Sequence, residues 1–426
     1  MQHNKEFIYF MEKKLSVGQN ALLNSVGSLF YLGCQWLITV LVVRIGSVED
    51  GGVLSLAMAI TNIFYTLAAF GMREFQVSDY HDKHSTSEYV TTRILTCLFS
   101  ILMCSVIVLP NRHYSAQQMA CILIYMLFRA SEALIDTFQA IEQKAERMDY
   151  TCISFVVRGV LLLGGFSIIL RVTHQLPLAI LGIALFSLAV LFLFDWPVAR
   201  RLTGFKLRFS LKCSCQLLRE CLPLMCNSLL QSAVVSIPRS TLEGMFGSYI
   251  LGIYASIATP ATIVQSAATW LYTPTITVFT RNYMQKDKKA YFSLFTKILL
   301  LLAAVFAAIL VGAALLGHWG LNLLFGAEIA DHSALLIPVL LTTLLIALSY
   351  FFGALLTITR KLKLILIANA IAAACTLTLS RPLIRLFSMN GVNYVIYLSM
   401  GANALIMLVS LLVVLKKHFN TPDKVD

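Results

Sequence analysis

Charged residues are scarce in this chain. Asp, Glu, Lys and Arg make up 13% of its 426 residues, against about 25% in soluble proteins, and the mean hydropathy is +0.79. Apolar runs long enough to cross a bilayer recur along the whole length, and the short alternating segments of a membrane β-barrel are missing from the sequence. The composition excludes a soluble domain and predicts an all-α integral membrane protein with many spans.

Patterns that would hold a metal or a haem are also missing. Most of the 10 cysteines lie inside apolar runs, and Cys213 and Cys215 stand at a spacing that fits no zinc site. All 8 histidines fall in loops, termini or span ends, which argues against a histidine proton relay. The predicted outer loops are too short for a catalytic domain. The sequence therefore predicts no cofactor, no metal and no catalytic residue.

About twelve apolar spans can be counted along the chain. The longest connection between them, residues 199–220, divides the spans six and six, which predicts an N-terminal six-helix lobe over residues 1–205 and a C-terminal six-helix lobe over residues 206–426. The predicted spans cover residues 16–43, 53–72, 90–109, 117–139, 152–170, 177–198, 222–237, 250–279, 292–316, 335–357, 364–378 and 394–415.

The basic residues predict how the spans are oriented. Of the 33 lysines and arginines, about 25 fall on one side of the membrane and about 6 on the other, and the basic loops stay cytoplasmic. Both termini are therefore expected in the cytoplasm. This bias, together with contact with anionic membrane lipids, explains the net charge of +12, so no nucleic-acid partner is indicated.

A stripe of charged residues interrupts the fourth predicted span. Arg129, Glu132, Asp136 and Gln139 share one helix face, and Arg158 lies at a similar depth to Glu132 on the next span. Each charge costs on the order of 3 kcal/mol to insert, so such groups usually face the bundle interior or a wet cavity. The stripe is either the polar centre of a transporter or a structural network in which the charges neutralise one another.

Uncharged polar residues form further stripes. Asn24 and Gln35 lie on the first predicted span, Asn62 on the second, and Asn227 and Gln231 on the seventh. Such side chains either line a cavity, where amides suit sugar hydroxyls, or join helices by hydrogen bonds worth about 0.6 kcal/mol each. The sequence leaves both interpretations open.

Two further signals concern an internal repeat and the shape of one helix. Gly52 and Gly252 open similar segments at the second and eighth predicted spans, which predicts a parallel repeat about an axis along the membrane normal. Pro260 lies near the middle of the eighth span, where the missing N–H group is expected to kink the helix.

Three segments together carry a family resemblance. They are QNALLNSVG at residues 19–27, GMREFQVSD at residues 71–79, and the charged run with ERMDY at residues 129–158. With these, the chain resembles the Wzx-type flippases of the polysaccharide transporter family, within the multidrug/oligosaccharidyl-lipid/polysaccharide exporter superfamily. The resemblance extends over nearly the whole chain in span number and loop size.

The resemblance implies two six-helix lobes, MATE-like in architecture, around a central cationic cavity. It implies a lipid-linked oligosaccharide as substrate, carried on undecaprenyl diphosphate and turned from the inner to the outer leaflet of the bacterial inner membrane by alternating access. O-antigen, capsule and exopolysaccharide assembly are the implied pathways. A polysaccharide polymerase and a chain-length regulator are possible partners.

Arginines are the expected ligands of the diphosphate, because the guanidinium is a planar, permanently charged fork for phosphate oxygens. By residue type and place the candidates are Arg129, Arg158, Arg44, Arg73 and Arg239. The last three lie at span ends, where arginine side chains commonly reach toward the interface. The uncharged polar residues named above complete the predicted substrate site.

Glu132 and Asp136 are the candidate ion-coupling residues, because a carboxylate in a span can accept a proton or a sodium ion. Two other functions stay open. A cation-coupled multidrug antiporter of the same superfamily would use an acidic cavity, which Glu132, Asp136 and Glu243 could supply. A membrane polysaccharide polymerase would need a sizeable external loop, which the sequence lacks.

Overall fold

The computed structural model describes residues 16–79 and 83–420. In these two ranges all regular structure is helical, and 11 helices are long and apolar enough to cross a membrane. One of them is two helices joined at Gly247, whose backbone is non-helical, with φ 82° and ψ 170°. The predicted all-α, multi-pass membrane fold is confirmed.

In the first half of the chain, residues 16–79 and 83–203 form eight α-helices. A π-helical turn, Leu191–Asp195, joins the last two of them. The helices are α1 (Val17–Ile45), α2 (Val48–Ala69), α3 (Met72–Ser78), α4 (Thr86–Val108), α5 (Ala116–Lys144), α6 (Met148–Thr173), α7 (Leu176–Val190) and α8 (Trp196–Thr203).

In the second half, the described residues up to 420 form seven further α-helices and two short 3₁₀ turns, at Thr273–Thr275 and Ser333–Leu335. The helices are α9 (Leu211–Tyr272), α10 (Ile276–Met284), α11 (Lys288–Phe325), α12 (Ala327–Ala330), α13 (Leu336–Ile358), α14 (Leu362–Phe387) and α15 (Met389–Asn420).

Local sequence signals explain where several helices begin and end. Ser85 and Ser115 form capping boxes with Glu88 and Gln118 at the starts of α4 and α5. Gly204, with φ 64°, ends α8 in the left-handed conformation that glycine adopts without strain. These boundaries follow from single side chains or from the freedom of one glycine.

The kink predicted at Pro260 stays a prediction, because a proline can bend a helix whose dihedral angles remain helical. The only non-helical residue inside α9 is Gly247, and the dihedral angles stay helical at Pro260. A proline fixes φ near the helical value, whereas glycine adopts positive φ about as readily as negative φ. The break therefore falls at the glycine.

The connection between the two halves is shorter than the sequence suggested. The helix α8 extends to Thr203 and α9 begins at Leu211, so the non-helical link is confined to residues 204–210. The first turns of α9 bury Leu217 and Cys221 in an apolar cluster. That buried face stabilises helix in a stretch too polar to be recognised as a span.

The described residues form two compact units. The N-terminal unit comprises residues up to 41 together with 64–225, and the C-terminal unit comprises residues 42–63 together with 226 onward. The lobe limits 1–205 and 206–426 remain a prediction. The names N-terminal unit and C-terminal unit are used below for these two sets of residues.

The two units have different cores. In the C-terminal unit, buried aromatic rings form a continuous cluster in which Phe279 lies 5.1 Å from Tyr291 and 6.0 Å from Phe351 between ring centroids. Among the described residues, the N-terminal unit contains smaller apolar clusters, and in one of them Phe138 lies 5.5 Å from Trp196 between ring centroids. Aromatic pairs at such spacing add to the free energy of apolar burial.

Gly52 and Gly252, the two glycines of the suspected repeat, lie against each other's helices within the C-terminal unit. A β-carbon at Gly52 would overlap the carbonyl oxygen of Ser248, and one at Gly252 would overlap that of Val48. Only glycine allows two helix backbones to approach this closely. The sequence similarity of the two segments therefore has a packing reason.

Candidate functional site

The carboxylate of Glu132 on α5 is the centre of a buried polar cluster in the N-terminal unit. Its Oε1 accepts hydrogen bonds from Tyr31 Oη at 2.5 Å and from Gln35 Nε2 at 3.2 Å. Arg129 Nη1 donates to Oε2 at 2.6 Å, and Arg158 Nη1 lies 3.8 Å from Oε1. Of the predicted site residues, these contacts bring together Arg129, Glu132, Arg158 and Gln35.

The two arginines of this cluster also lie over aromatic rings. The Arg129 Cζ is 3.8 Å from the ring centroid of Tyr65, and the Arg158 Cζ is 4.5 Å from that of Tyr31. The side chain of Arg129 is 19% exposed, whereas that of Arg158 is 3% exposed. Of the two, Arg129 is the more exposed.

A second cluster surrounds Asp136, further along α5. Arg73 Nη1 donates to Oδ1 at 2.5 Å, and Arg93 Nη2 lies 3.5 Å from Oδ2. Arg73 also bonds to the amide oxygens of Gln139 and Gln143, at 3.3 and 3.4 Å. The predicted polar stripe of α5 is thus paired with arginines along its length.

Sequence reasoning missed Arg93 as a buried residue of the site. Its side chain is fully buried and donates to Thr137 Oγ1 at 2.7 Å and to the carbonyl oxygens of Ala68 and Ala69, which end α2. A cation at the carbonyl end of a helix compensates the helix dipole. The available signal was its position inside the predicted span 90–109.

Arg44 belongs to the C-terminal unit, where its side chain caps the C-terminal end of α11. Its guanidinium donates to the carbonyl oxygens of Asn322 at 2.8 Å, Leu323 at 2.6 Å and Leu324 at 2.9 Å, in the last turn of α11. These contacts assign Arg44 a structural role, because a basic side chain stabilises the unpaired carbonyls at the end of a helix.

The predicted amides of the C-terminal unit are engaged with other helices. Asn62 Nδ2 donates to Ser232 Oγ at 3.2 Å, and Asn369 Nδ2 donates to Asn227 Oδ1 at 2.5 Å. Asn403 continues this chain by donating to Asn369 Oδ1 at 2.7 Å. For Asn62 and Asn227 the contacts match the alternative in which polar residues join helices.

None of the contacts described above includes Gln231, Arg239 or Asn24. Gln231 and Arg239 are half-buried in the C-terminal unit, and the buried Nε of Arg239 has no hydrogen-bond partner in the part of the chain that is described. Asn24 is half-buried on α1. Over residues 16–79 and 83–420, no group of three or more His, Cys, Asp or Glu could hold a metal ion.

The helices and their arrangement match those of solved membrane transporters. A multidrug resistance MATE family transporter of the MOP superfamily, in an inward-facing conformation, aligns with a TM-score of 0.71 over 95% of this chain and 100% of its own, at 12% identity. The lipid II flippase MurJ, in an inward closed conformation, aligns with a TM-score of 0.71 over 93% of this chain and 90% of its own, at 13% identity. The fold is therefore that of a MATE- or MurJ-like membrane protein.

The family follows from the sequence comparison. The family profile described as polysaccharide biosynthesis protein matches residues 17–281, and the chain belongs to that family. A relative, the capsular polysaccharide biosynthesis protein CapF of Staphylococcus aureus, is 27% identical over 381 residues, covering 86% of this chain and 92% of its own. The resemblance to polysaccharide flippases stated from the sequence is thus confirmed.

Proposed function

We propose that this protein moves undecaprenyl-diphosphate-linked oligosaccharide repeat units from the inner to the outer leaflet of a bacterial plasma membrane by alternating access. The product would serve O-antigen, capsule or exopolysaccharide assembly. Support comes from the polysaccharide biosynthesis family, from a relative named for capsule biosynthesis, and from a fold shared with a lipid II flippase.

The observation that carries the proposal is the partly exposed guanidinium of Arg129 within an apolar span. A diphosphate cannot enter hydrocarbon without large loss of solvation free energy, so it needs charged partners along its path. Arg129 offers such a charge beside the ring of Tyr65, and arginine binds phosphate oxygens as a fork. A membrane potential that is negative inside favours outward movement of negative charge by about 2.3 kcal/mol per charge per 100 mV.

Ion coupling through Glu132 and Asp136 is part of the proposal. A phosphate that draws Arg129 away from Glu132 removes the closest cation from that carboxylate, whose Oε2 lies 2.6 Å from the guanidinium. The carboxylate then attracts a proton or a sodium ion in its place. Flipping in vesicles should therefore respond to a proton or a sodium gradient, and a rate indifferent to both would remove coupling from the proposal.

The proposal also includes an orientation and partners. Both termini lie in the cytoplasm, as the distribution of lysine and arginine predicts. The chain itself moves the substrate without chemical change, and a polysaccharide polymerase and a chain-length regulator act on the product. Labelling of cysteines introduced near either terminus, from one side of the membrane, tests the orientation.

The deciding experiment is reconstitution of the purified protein in liposomes containing a fluorescent lipid-diphosphate-linked oligosaccharide. We expect Arg129→Ala to reduce flipping at least tenfold and Arg129→Lys to restore part of it, because an ammonium lacks the planar fork. Arg171→Ala is the matched control, because Arg171 is an exposed arginine near the end of α6.

Two results would overturn the proposal. One is equal flipping by the Arg129→Ala variant and the unsubstituted protein at equal protein level. The other is no flipping of the lipid together with gradient-driven efflux of a cationic dye, which would favour the alternative of a cation-coupled multidrug antiporter.

A further inference from the structure

The segment that joins the two halves of the chain exposes apolar and basic side chains next to one another. It comprises residues 204–212 and is called the linking segment below. Its exposed apolar side chains, at 42%, 62% and 74%, are those of Leu207, Phe209 and Leu211. Its exposed basic side chains are those of Lys206, Arg208 and Lys212. An exposed apolar surface among basic groups is typical of a segment that contacts a membrane.

Contacts with the rest of the N-terminal unit fix both ends of the linking segment. At one end the side chain of Phe205 is 6% exposed and packs in an apolar cluster. Ser87, in the first turn of α4, donates a hydrogen bond to the carbonyl oxygen of Lys206. Just beyond the other end, Thr92 of α4 donates to the buried hydroxyl of Ser214 at 2.9 Å. The exposed side chains between these contacts therefore have a defined place on the surface of the unit.

The linking segment begins at the level of the lipid headgroups. The apolar helical stretch before it, Leu176–Thr203, has 28 residues, and at 1.5 Å per residue it is about 42 Å long. A bilayer with its headgroup layers is about 40–45 Å thick. The hydrogen bond from Ser87 holds the segment at the start of α4, a second helix long enough to span the membrane. The basic residues predict that this side is cytoplasmic, where the membrane surface is negatively charged.

The charge around the linking segment is of one sign. Residues 196–219 contain six lysines and arginines and no aspartate or glutamate. In the part of the chain that the structure describes, none of the three basic residues of the segment forms an ion pair. Glu220, the next acid along the chain, lies 2.5 Å from Lys83 and 3.3 Å from His84. The counter-charge for the segment must therefore come from outside these residues, and a lipid phosphate can supply it.

We propose that the linking segment is a binding site for anionic phospholipids on the cytoplasmic surface of the membrane. Its three exposed apolar side chains enter the boundary between headgroups and acyl chains, and its three basic side chains bind the lipid phosphates. The overall bias of basic residues orients the spans, whereas this segment selects a class of lipid. The site does not depend on the proposed substrate, because it is defined by lipid binding and not by flipping.

Local fluorescence quenching in reconstituted vesicles tests the site. Phe209→Trp adds a reporter to the four native tryptophans, and its signal is the difference between this variant and the unsubstituted protein. The vesicles are phosphatidylcholine in which a fixed minor fraction is either brominated phosphatidylcholine or brominated phosphatidylglycerol. We expect the reporter to be quenched by both brominated lipids and little by acrylamide in the water. The preference for phosphatidylglycerol should be about fivefold or more, the equivalent of about 1 kcal/mol for each basic residue at a membrane surface.

A charge variant and a matched control identify the residues that give the preference. In the Phe209→Trp background, the preference for phosphatidylglycerol should be lost in Lys206→Gln/Arg208→Gln/Lys212→Gln, because no cation then lies beside the reporter. The control, which removes three exposed basic residues of the C-terminal unit and should keep the preference, is Arg281→Gln/Lys288→Gln/Lys289→Gln. If the triple variant does not fold, Arg208→Gln alone should reduce the preference.

Three outcomes would overturn the site. Quenching by acrylamide and by neither brominated lipid would show that the segment is an ordinary solvated connection. Equal quenching by the two brominated lipids would show apolar docking without selection of the headgroup. A preference that persists after the three basic residues are replaced would assign the lipid phosphates to other side chains.

Discussion

The N-terminal and C-terminal units hold their helices together by different means. The N-terminal unit contains buried and partly buried ion pairs, with Glu132 and Asp136 each in contact with two arginines. The C-terminal unit uses packed aromatic rings and a chain of amides through Asn369. Buried ion pairs stabilise less than apolar packing of the same volume, so the N-terminal unit retains them at a cost. The difference shows that charged side chains hold the helices of one unit and apolar and amide contacts those of the other, and the function proposed above would give those charges a role.

The largest expected effect comes from removing a buried charge of the N-terminal unit. Arg93→Met leaves Asp136 with one arginine fewer and removes the hydrogen bonds that Arg93 donates to the carbonyls of Ala68 and Ala69. We expect the free energy of unfolding to fall by about 3–5 kcal/mol. Denaturant unfolding in detergent measures it, with Arg171→Met, at an exposed site, as the control. Equal stability of the two variants would break the contrast between the units.

A smaller effect is expected from close packing in the C-terminal unit. In Gly252→Ala the new methyl group overlaps the carbonyl oxygen of Val48, and overpacking of this kind costs about 1–3 kcal/mol. Gly312→Ala is the control, because a β-carbon there meets nothing within 4 Å and alanine favours helix. Thermal unfolding of both variants checks it, and the prediction fails if the Gly252 variant melts no lower than the Gly312 variant.

The amide chain of the C-terminal unit should contribute less again. Asn369→Ala removes the hydrogen bonds to Asn227 and Asn403, each worth about 0.6 kcal/mol between membrane helices. We expect a loss near 1 kcal/mol and unchanged flipping. Thr378→Ala, whose hydroxyl bonds only within its own helix, is the control for stability. Loss of flipping without loss of stability would show that the amides bind substrate.

The smallest effect concerns Asp79, outside the spans of the N-terminal unit. Burial raises the pKa of this carboxyl, but hydrogen bonds from the N–H groups of Lys83 and His84 and from Tyr89 outweigh it, and the pKa is lowered. A lowered pKa gives stability that is present above about pH 4, the ordinary value, and is lost as the pH falls through the folded value.

In Asp79→Asn the melting temperature should therefore lie below that of the unsubstituted protein at neutral pH, with the gap closing in acid. Melting curves recorded from neutral to acidic pH measure this. Asp331→Asn, at an exposed site, is the control at each pH. A gap that stays constant with pH would mean that the Asp79 charge contributes nothing.

Periodicity and hydropathy predicted the helical membrane fold, because long apolar runs admit almost no other structure in a bilayer. The shared face of Arg129, Glu132 and Asp136 was also predictable, because helical spacing alone determines it. The partners of Arg44 and Arg93 were not, since both bind backbone carbonyls of helices distant in sequence. A sequence does not show which backbone carbonyls lie near a side chain, because that depends on how the helices pack.

The π-helical turn at Leu191–Asp195 has a consequence for the helical phase of everything after it. A turn of this kind holds one residue more than an α-helical turn. Deletion of Phe192, an exposed residue, would therefore restore the α-helical pattern of backbone hydrogen bonds. In a regular α-helix each residue removed rotates the remaining helix by about 100°, but here the residue removed is the extra one of the π turn. The side chains of Asp195 and Ala199, both fully buried, would therefore keep their direction, whereas a deletion elsewhere in α7 would turn them away from it.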